Sequence, residues 1–400
     1  MKQWQRWDLP FFDASHDALA QRLQDWLGAF PDLEKEIEPL PLGEQCRVLV
    51  KALGRCGLLE FAVPRAGVAG QARQVDVRSI CLIREALSYH CALADFAFSM
   101  QGIGTAAIWL FGSAALQEQY LDACRDGNSI AALALSELEG GSDVAATATH
   151  AERDGDAYIL NGAKTWISNG GIAHHYIVVA RTETAPGSKG LSAFLVDAET
   201  SGLSVGSNID VVAPHPLSEV RFDDCKVPAS RMLGAPGEGF KVAMATLDIF
   251  RSSVGAAAVG LARRALDETV ARMHARSLFG KKMAQMDTVR SRIADMALDL
   301  ESAALLVYRA GWLRDVRGLS ITREAAMAKL GGTESAFRVI DSAVQLFGAL
   351  GITEGCIIEQ LFRDIRPMRI YEGASEIQKL IIGKKVLADG APEIQSPRAP

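Results

Sequence analysis

The sequence predicts an α+β protein with a helical N-terminal part, a central antiparallel β part and a C-terminal helical bundle. Three observations support this fold class. Apolar residues recur at helical spacing from residue 13 to about 127, five short β-branched and aromatic segments follow up to residue 228, and long helical runs begin at residue 239. Strands and helices do not alternate, which argues against a doubly wound parallel sheet.

The composition places the chain among globular proteins. Its 400 residues are enough for two or three hydrophobic cores, and 49% of them are hydrophobic while 22% are charged. The net charge of −6 gives no general attraction to nucleic acid or to an anionic membrane. The apolar stretches are shorter than the ~20 residues that span a bilayer, so neither a transmembrane helix nor a membrane partner is expected.

Cysteine usage and the first residues bear on the cellular compartment. The seven cysteines are scattered and form no CxxC pair, which argues against a disulfide framework or a zinc site. The segment MKQWQRWDLPFFDASHD lacks the apolar core of a signal peptide and the Arg-rich, acid-poor character of a transit peptide. We therefore expect a cytoplasmic protein with buried free thiols and no bound metal.

The N-terminal part, residues 1–127, is predicted to be all-helical. Asp13 and Ser15 can cap a first helix, and helical spacing recurs in residues 76–89 and 113–125. The apolar face of the first helix carries Leu19, Leu23, Trp26 and Leu27.

The central part, residues 128–235, is predicted to be a compact antiparallel barrel or sandwich. Glycine, proline, aspartate and asparagine separate its short segments, as expected for turns between strands. The predicted strands are SIAALALSE, YILNGAKTWIS, HHYIVVART, LSAFLVDAE and LSEVRFDDCKVP.

The C-terminal part, residues 236–390, begins at a PGEG turn and is predicted to be helical. A shorter helix follows Gly373, and three long runs have helical periodicity without an internal proline: 239–275, 287–316 and 321–347. Helices of this length imply a bundle in which each helix covers its neighbours. Residues 391–400 are expected to form a disordered tail.

The segment RPMRIYEGASEIQKLIIGK, residues 366–384, is the most informative one for chemistry. Glu372 lies between an aromatic residue and a glycine, just before a predicted helix. Gly373 permits a tight turn, and Ser375 can cap the amides that follow. Spacing alone leaves two interpretations of Glu372 open, an exposed charge at a helix N-terminus or a base that the turn holds against a ligand.

This segment resembles the C-terminal signature of the acyl-CoA dehydrogenase family, in which the glutamate after the tyrosine removes the α-proton of an acyl thioester. LALSELEGGSD (133–143) is similar to the flavin-binding signature of that family, and YILNGAKTWISNGG (158–171) is similar to its second flavin segment. The likeness covers roughly residues 15–388. Three further segments match in the expected order: TLDIFR (246–251), RSLFGKK (276–282) and DSAVQLFGALG (341–351).

The resemblance implies an all-α N-terminal domain, a central β-domain and a C-terminal four-helix bundle, assembled as a homotetramer or a homodimer. It implies that FAD lies between the β-domain and the bundle and partly contacts a neighbouring subunit. It also implies an acyl-CoA substrate, with Glu372 as the α-proton base, hydride transfer to flavin N5, and electron-transfer flavoprotein as the electron acceptor.

The matched motifs imply a set of flavin contacts. Without the resemblance, Trp166 would be interpreted as a core residue and Arg276 as an ordinary charge at a helix end. With it, the indole covers the flavin, Ser168 lies near N5, and the guanidinium binds the pyrophosphate of the partner subunit's FAD. The implied cofactor-binding residues are Leu133, Leu135, Ser136, Ser142, Trp166, Ser168, Arg276, Phe279, Gln345, Phe347, Ala374 and Glu376.

The resemblance also implies substrate contacts. Asp248 and Arg251 share a helix face and could form an intrahelical ion pair, whereas their motif places them on the pantetheine and adenosine portions of CoA. Asp95 falls where some members select the acyl end, although a neighbouring side chain could satisfy it instead. An acid there would disfavour a dicarboxylic acyl group. The implied substrate-binding residues are Ser142, Asp248, Arg251, Asp95, Tyr371 and Gly373.

The sequence departs from the family pattern at several positions. Leu138 and Glu139 replace a Pro-Gly pair in the first flavin signature. Ala374 and Glu376 replace a threonine and a glutamine, which implies that some side-chain bonds to the flavin are lost. His215 lies in a loop that lacks the usual arginine, and it is either a plain loop residue or part of the acyl channel.

Two other functions remain open at this point. The same chemistry could act on an acyl group bound to a carrier protein, or the chain could be a flavin-binding relative that does not dehydrogenate. Asp248 and Arg251 count against the carrier-protein alternative, because their motif contacts CoA. Glu372 and the net charge of −6 count against the second alternative.

Overall fold

The computed structural model describes residues 9–65, 75–183 and 185–389, so the expected disordered tail lies outside the described residues. The described N-terminal region is helical, as predicted. The helix α1 begins after the N-cap Asp13, whose side chain accepts a hydrogen bond from the backbone amide of Ser15. The helices are α1 (Ala14–Ile37), α2 (Leu42–Arg55), α3 (Val77–His90), α4 (Ala92–Phe111) and α5 (Ala114–Arg125).

The central region is one 8-stranded sheet with the strand order β6-β7-β3-β2-β4-β5-β8, and β1 pairs with β4 beside this path. All residues of β4 and β5 except the last of each strand are buried, which places the core of this region on these strands. The strands are β1 (Ala131–Ala134), β2 (His150–Asp154), β3 (Ala157–Ser168), β4 (His175–Arg181), β5 (Leu191–Asp197), β6 (Leu203–Asn208), β7 (Leu217–Pro228) and β8 (Met232–Leu233).

Two features of the sheet differ from the prediction. β1 runs parallel to β4, with Ala131 opposite His175, whereas all strands were expected to be antiparallel. The reason is connectivity, because two strands separate β1 from β4 along the chain and only a long crossover can join parallel neighbours. The strands β2, β6 and β8 were not predicted. Most residues of β2 and β6 are polar or exposed, and β8 has only two residues, too few to show an alternation.

The C-terminal region returns to helices, and α8 contacts each of the other four that the structure describes there. A two-stranded hairpin of β9 (Ser277–Leu278) and β10 (Lys281–Lys282) follows the first helix. The predicted fold class is confirmed. The structure adds one helix that was not predicted, α9, and Pro367 lies in its last turn. The helices are α6 (Gly239–Ala275), α7 (Asp287–Asp315), α8 (Thr322–Phe347), α9 (Ile357–Met368) and α10 (Ser375–Asp389).

The helix α6 connects all three regions. It packs against α3 and α4 of the N-terminal region, against β4 and β5 of the sheet, and against α7, α8 and α9. Gly255 makes the contact with α8 close, because a Cβ atom there would press on the carbonyl oxygen of Ala328. The consequence for function is that residues on α6 lie where the three regions meet.

By length and composition, α6 and the segment Thr322–Ile352 could span a membrane, which corrects the prediction that no stretch is apolar and long enough. In α6, 83% of the most apolar window is buried inside the protein, which is the pattern of a core helix. The seven cysteines are free thiols, as expected.

Candidate active site

The strand β3 carries the predicted second flavin segment, and its end is distorted. Its pairing with β7 shifts register between Lys164 and Ile167. Trp166, within this irregularity, has a φ of 54°, and its side chain is 47% exposed. A bulky residue in the left-handed region is strained, and such strain concentrates at functional sites. An exposed indole on a strained backbone does not fit the interpretation of Trp166 as a core residue.

Hydrogen bonds join the two predicted flavin segments to each other. The backbone amide of Thr165 donates to the carbonyl oxygen of Ser136 at 3.0 Å. The Lys164 ammonium donates to the carbonyl oxygen of Leu135 at 3.1 Å and to Glu137 Oε1 at 2.7 Å. Leu135 and Ser136 are therefore fixed next to the base of the Trp166 irregularity.

The Glu137–Lys164 ion pair at this junction is buried, with 0% exposure of the lysine side chain. The Glu137 carboxylate also accepts hydrogen bonds from the amides of Ala148 and Thr149, at 2.7 and 3.0 Å. Burial lowers the pKa of Lys164 to about 8, and Glu137 opposes this shift. Both residues lie inside the matched motifs, yet sequence analysis overlooked them because nothing in either segment shows that they meet.

A tight turn before α10 holds Glu372. Glu372 has a φ of 53° and Gly373 a φ of 90°, so two consecutive residues are left-handed. The carbonyl oxygen of Gly373 accepts hydrogen bonds from Gln378 Nε2 at 2.8 Å and from Lys329 Nζ at 3.0 Å. The sequence predicted this turn, but the lysine that holds it comes from α8 and was not foreseen. We call residues 371–375 the base turn.

The helix α8 also holds the last residue of the base turn, Ser375, and Arg369, which lies two residues before the turn begins. Ser375 was expected to cap the following amides, but its hydroxyl instead donates to Glu334 Oε1 at 2.6 Å. The Arg369 guanidinium donates to Glu334 from Nε at 3.0 Å and lies over the Phe337 ring, 4.5 Å from the centroid. Because Glu334 is well placed on α8 to accept from both sides, Ser375 does not turn back onto its own helix.

The carboxylate of Glu372 is half-buried, and its Oε2 atom is buried without a hydrogen-bond partner among the described residues. Burial raises the pKa of Glu372, and the cations of Arg84, Lys329 and Arg251 oppose this shift. A surface charge at a helix N-terminus would be solvated, so that interpretation does not fit. A strained carboxyl with a raised pKa and an unpartnered oxygen is instead suited to accept a proton.

Asp95 is paired with a neighbouring side chain. Its two oxygens accept from Arg84 Nε and Nη2 at 2.8 and 2.9 Å, and its residual exposure is 3%. Arg84 also donates to Ser253 on α6 at 3.0 Å. Of the two interpretations left open for Asp95, the structure fits the one in which a neighbouring side chain, the arginine on α3, satisfies the carboxylate. The contact of Asp95 with the acyl end stays a prediction. His215 packs on the ring of Phe96, with centroids 4.6 Å apart.

Asp248 and Arg251 form the intrahelical ion pair that their spacing allows, at 2.6 Å. Arg251 is buried, and its Nε finds no partner among the described residues. The Nε–H of Arg251 thus remains available to donate a hydrogen bond to a ligand. The contact of these residues with CoA stays a prediction.

A groove of about 530 Å³ lies at the end of α6. The Arg272 guanidinium stacks on the Phe347 ring inside it, 4.8 Å from the ring centroid. Phe279, in the adjoining hairpin, is 94% exposed with a φ of 51°. The groove is lined by Glu268, Ala271, Arg272, Ala275, Arg276 and Phe347.

The groove brings together two residues predicted to reach the partner subunit's FAD, Arg276 and Phe347. Two guanidinium groups in a concave surface suit a pyrophosphate, because charge-assisted hydrogen bonds are the strong ones. The exposed aromatic rings of Trp166 and Phe279 suit a flat ring system. The residues present therefore fit FAD. The other predicted cofactor- and substrate-binding residues differ in exposure. The half-buried ones are Leu133, Leu135, Ser136, Ser168, Gly373 and Ala374, and the exposed ones are Ser142, Gln345, Tyr371 and Glu376.

Replacing Gly373 by alanine is expected to disrupt the base turn. A Cβ atom there would overlap the amide nitrogen of Gln378, and φ of 90° is unfavourable for any side chain. We expect a loss of about 1–3 kcal/mol in stability together with reduced turnover. Thermal unfolding and activity measure both. Gly355→Ala is the matched control, since Gly355 has a φ of 85° with open space around it. Equal effects of the two variants would show that the overlap with Gln378 adds nothing to the cost of the positive φ.

Family models and known proteins of similar sequence all point to the acyl-CoA dehydrogenase family. Acyl-CoA dehydrogenase family models match the chain over residues 22–128 (N-terminal domain), 132–225 (middle domain) and 237–387 (C-terminal domain). The mitochondrial short-chain specific acyl-CoA dehydrogenase of Mus musculus is 36% identical over 381 residues, which cover 93% of this chain and 90% of that protein.

Solved structures of similar proteins point to the same family. Butyryl-CoA dehydrogenase from Megasphaera elsdenii matches with a TM-score of 0.82 and 34% identity, over 92% of this chain and 98% of that chain. The FAD complex of PigA matches with a TM-score of 0.85 and 30% identity, over 96% of this chain and 100% of that chain. With its three matched domains and these relatives, the chain belongs to the acyl-CoA dehydrogenase family of oxidoreductases.

Proposed function

We propose that the protein catalyses the FAD-dependent α,β-dehydrogenation of an acyl-CoA thioester to the trans-2-enoyl-CoA, with Glu372 as the base. The observation that carries the proposal is the buried, unpartnered Oε2 atom of Glu372 on a strained turn. Within the described residues this oxygen accepts no hydrogen bond, so its lone pairs are free, as a proton acceptor requires.

Different residues of the chain serve proton transfer, charge stabilisation and substrate binding. Glu372 accepts the pro-R α-proton, and its raised pKa brings the carboxyl closer to the operating pH. The backbone amide of Glu372 donates to the thioester carbonyl oxygen and stabilises the developing negative charge. Arg251 and Asp248 hold the CoA portion. Bound FAD would supply the acceptor for the β-hydrogen, which leaves as hydride.

Trp166 and Ser168 hold the flavin ring in this proposal, and Arg276 binds the pyrophosphate of the partner subunit's FAD. The protein is accordingly a homotetramer or homodimer with about one non-covalent FAD per subunit, and it passes electrons to electron-transfer flavoprotein. We also propose a cytoplasmic location. The purified protein should be yellow, and folded protein that cannot be reconstituted with FAD would contradict the proposal.

Arg276→Ala is expected to weaken FAD binding by about 1.5–3 kcal/mol, the loss of one hydrogen bond to a charged group. The measurement is a titration of the FAD-free oligomer with FAD, followed by fluorescence. Arg153→Ala, on an exposed position of β2, is the control and should bind FAD as the wild type does. Unchanged FAD affinity in a stable Arg276→Ala oligomer would identify Arg276 as an ordinary surface charge.

The substrate class is tested by flavin bleaching under anaerobic conditions. Short saturated acyl-CoA thioesters come first, since the relatives reported above are named for short-chain acyl-CoA and butyryl-CoA. The same acyl groups on a carrier protein form the second arm. Bleaching by CoA thioesters supports the proposal. Flavin bleaching by the carrier-protein thioesters alone would show that the substrate is an acyl carrier protein. Bleaching by neither kind of thioester would overturn the proposed reaction.

A further inference from the structure

Lys329, on α8, is fully buried, with 0% exposure. Burial of an ammonium group is costly unless charge and hydrogen bonds compensate it. The only hydrogen bond that its Nζ makes within the described residues goes to the carbonyl oxygen of Gly373, at 3.0 Å. A lysine in this situation is not a packing residue, because an aliphatic side chain of similar length would fill the same space without the cost.

The acceptor of this bond belongs to a strained segment. Glu372 and Gly373 are both left-handed, and a strained non-glycine residue persists only when its surroundings hold it. Two donors from different helices converge on the Gly373 carbonyl, Gln378 of α10 and Lys329 of α8. They fix the orientation of the peptide that immediately follows Glu372.

Charge balance distinguishes Lys329 from the other cations near Glu372. Facing Glu372 are Arg84 of α3, Arg251 of α6, Lys329 of α8 and the carboxylate of Asp95 on α4. Arg84 is neutralised by both oxygens of Asp95, and Arg251 is paired with Asp248.

Lys329 has no such partner, since within the described residues no carboxylate lies at ion-pair distance from its Nζ. The acids that face it are Glu372, Glu334 and Glu376, with Arg251 opposing them. Glu334 is already paired with Arg369. The charge of Lys329 is therefore directed mainly at Glu372.

We propose that Lys329 is the positioning residue of the base: its ammonium fixes the Gly373 carbonyl and supplies the unmatched positive charge that favours the ionised Glu372 carboxylate. The inference rests on the proposed function of Glu372. Burial lowers the pKa of Lys329 to about 8, so the group is cationic at neutral pH, where the base must be ionised.

The test compares variants by the pH dependence of flavin reduction in single-turnover mixing. Lys329→Met removes the charge and the donor while keeping the length of the side chain. The acid limb of its pH–rate profile is the range in which the rate falls as Glu372 becomes protonated. This limb should move to higher pH by about one unit, since a nearby opposite charge shifts a carboxyl pKa by that order. Gln378→Leu is the matched control, because it removes the other donor to the same carbonyl without changing any charge. It should slow the reaction with its acid limb in the wild-type position.

A second measurement is independent of turnover. Carbodiimide labels protonated carboxyls, so the pH midpoint of labelling at the Glu372 peptide, read by mass spectrometry, reports ionisation of Glu372 directly. The midpoint should rise in Lys329→Met by the same amount as the acid limb. If Glu372→Gln proved fully active, the proposed base would be wrong, yet this labelling would still report the effect of Lys329.

Lys329→Arg completes the series. It keeps the charge and should retain the wild-type limb and labelling midpoint even where its rate is lower. A folded, FAD-containing Lys329→Met protein with both values unmoved would overturn the inference. If Lys329→Met does not fold, Lys329→Arg decides, because an acid limb displaced upward despite the retained charge would equally overturn it.

Discussion

Glu372→Gln is expected to slow flavin reduction by the best acyl-CoA thioester by about 10²–10⁴-fold, the usual effect of removing a positioned general base. The amide keeps the shape of the side chain but cannot accept the α-proton. Binding of acyl-CoA should survive, because Asp248 and Arg251 are unchanged. Rapid-mixing spectroscopy of flavin bleaching gives the rate, and equilibrium titration gives the affinity.

Two described residues of α6 and α4 that could be considered as substitute bases are unsuited to the role. Phe250, two residues beyond Asp248 on α6, is fully buried and has no group that could accept a proton. Asp95 is held by both donors of Arg84. Glu354→Gln, on an exposed loop, serves as the control and should react as the wild type does. A Glu372→Gln protein that bleaches at the wild-type rate would require another base.

The pH dependence of this step follows from the pKa of Glu372. Burial raises this pKa above its ordinary value, and the base is active only when ionised. The rate should therefore fall as the pH decreases through the raised pKa, at a higher pH than a solvent-exposed glutamate would give. Stopped-flow measurements across acidic pH test the direction.

The largest expected effect on stability comes from Glu137→Leu. The substitution leaves the Lys164 ammonium fully buried with the Leu135 carbonyl as its remaining partner. It also removes the acceptor of the amides of Ala148 and Thr149. Breaking a buried ion pair by removing one partner costs about 3–5 kcal/mol. Denaturant unfolding measures the loss, and FAD content should fall with it, because the pair joins the two predicted flavin segments.

Two controls make this prediction specific. The double variant Glu137→Leu/Lys164→Met removes the unpaired charge and should recover part of the loss. Asp154→Asn breaks the exposed ion pair with Lys226 on the same sheet and should have a much smaller effect, since water screens that pair. Equal unfolding free energies for Glu137→Leu and Asp154→Asn would show that burial of Lys164 is already compensated elsewhere.

Local patterns explain which parts of the fold could be predicted. The amphipathic helices α1, α3 and α5 and the apolar strands β4 and β5 carry clear periodicity, so sequence alone located them. The strand β6 is exposed along most of its length, and its pairing with β7 has no local signal. The parallel direction of β1 depends on the path of the chain, which periodicity does not report.

The site shows the same division. Glu372 could be located because its motif is contiguous, and the left-handed turn followed from the adjacent glycine. Lys329 could not, because AAMAKLGG resembles any helix with one surface charge, and its partner lies 44 residues away. Arg84 and Asp95 are on different helices, so their pairing requires the packing of α3 against α4 to be known.

The position of α6 has a consequence for how the molecule can be divided. One helix supplies packing surface to the N-terminal helices, the sheet and the bundle at once. Excising the N-terminal region or the sheet would strip α6 of one set of neighbours and expose part of its continuously buried stretch, residues 249–262. We therefore expect that the regions matched by separate family models are not separable modules.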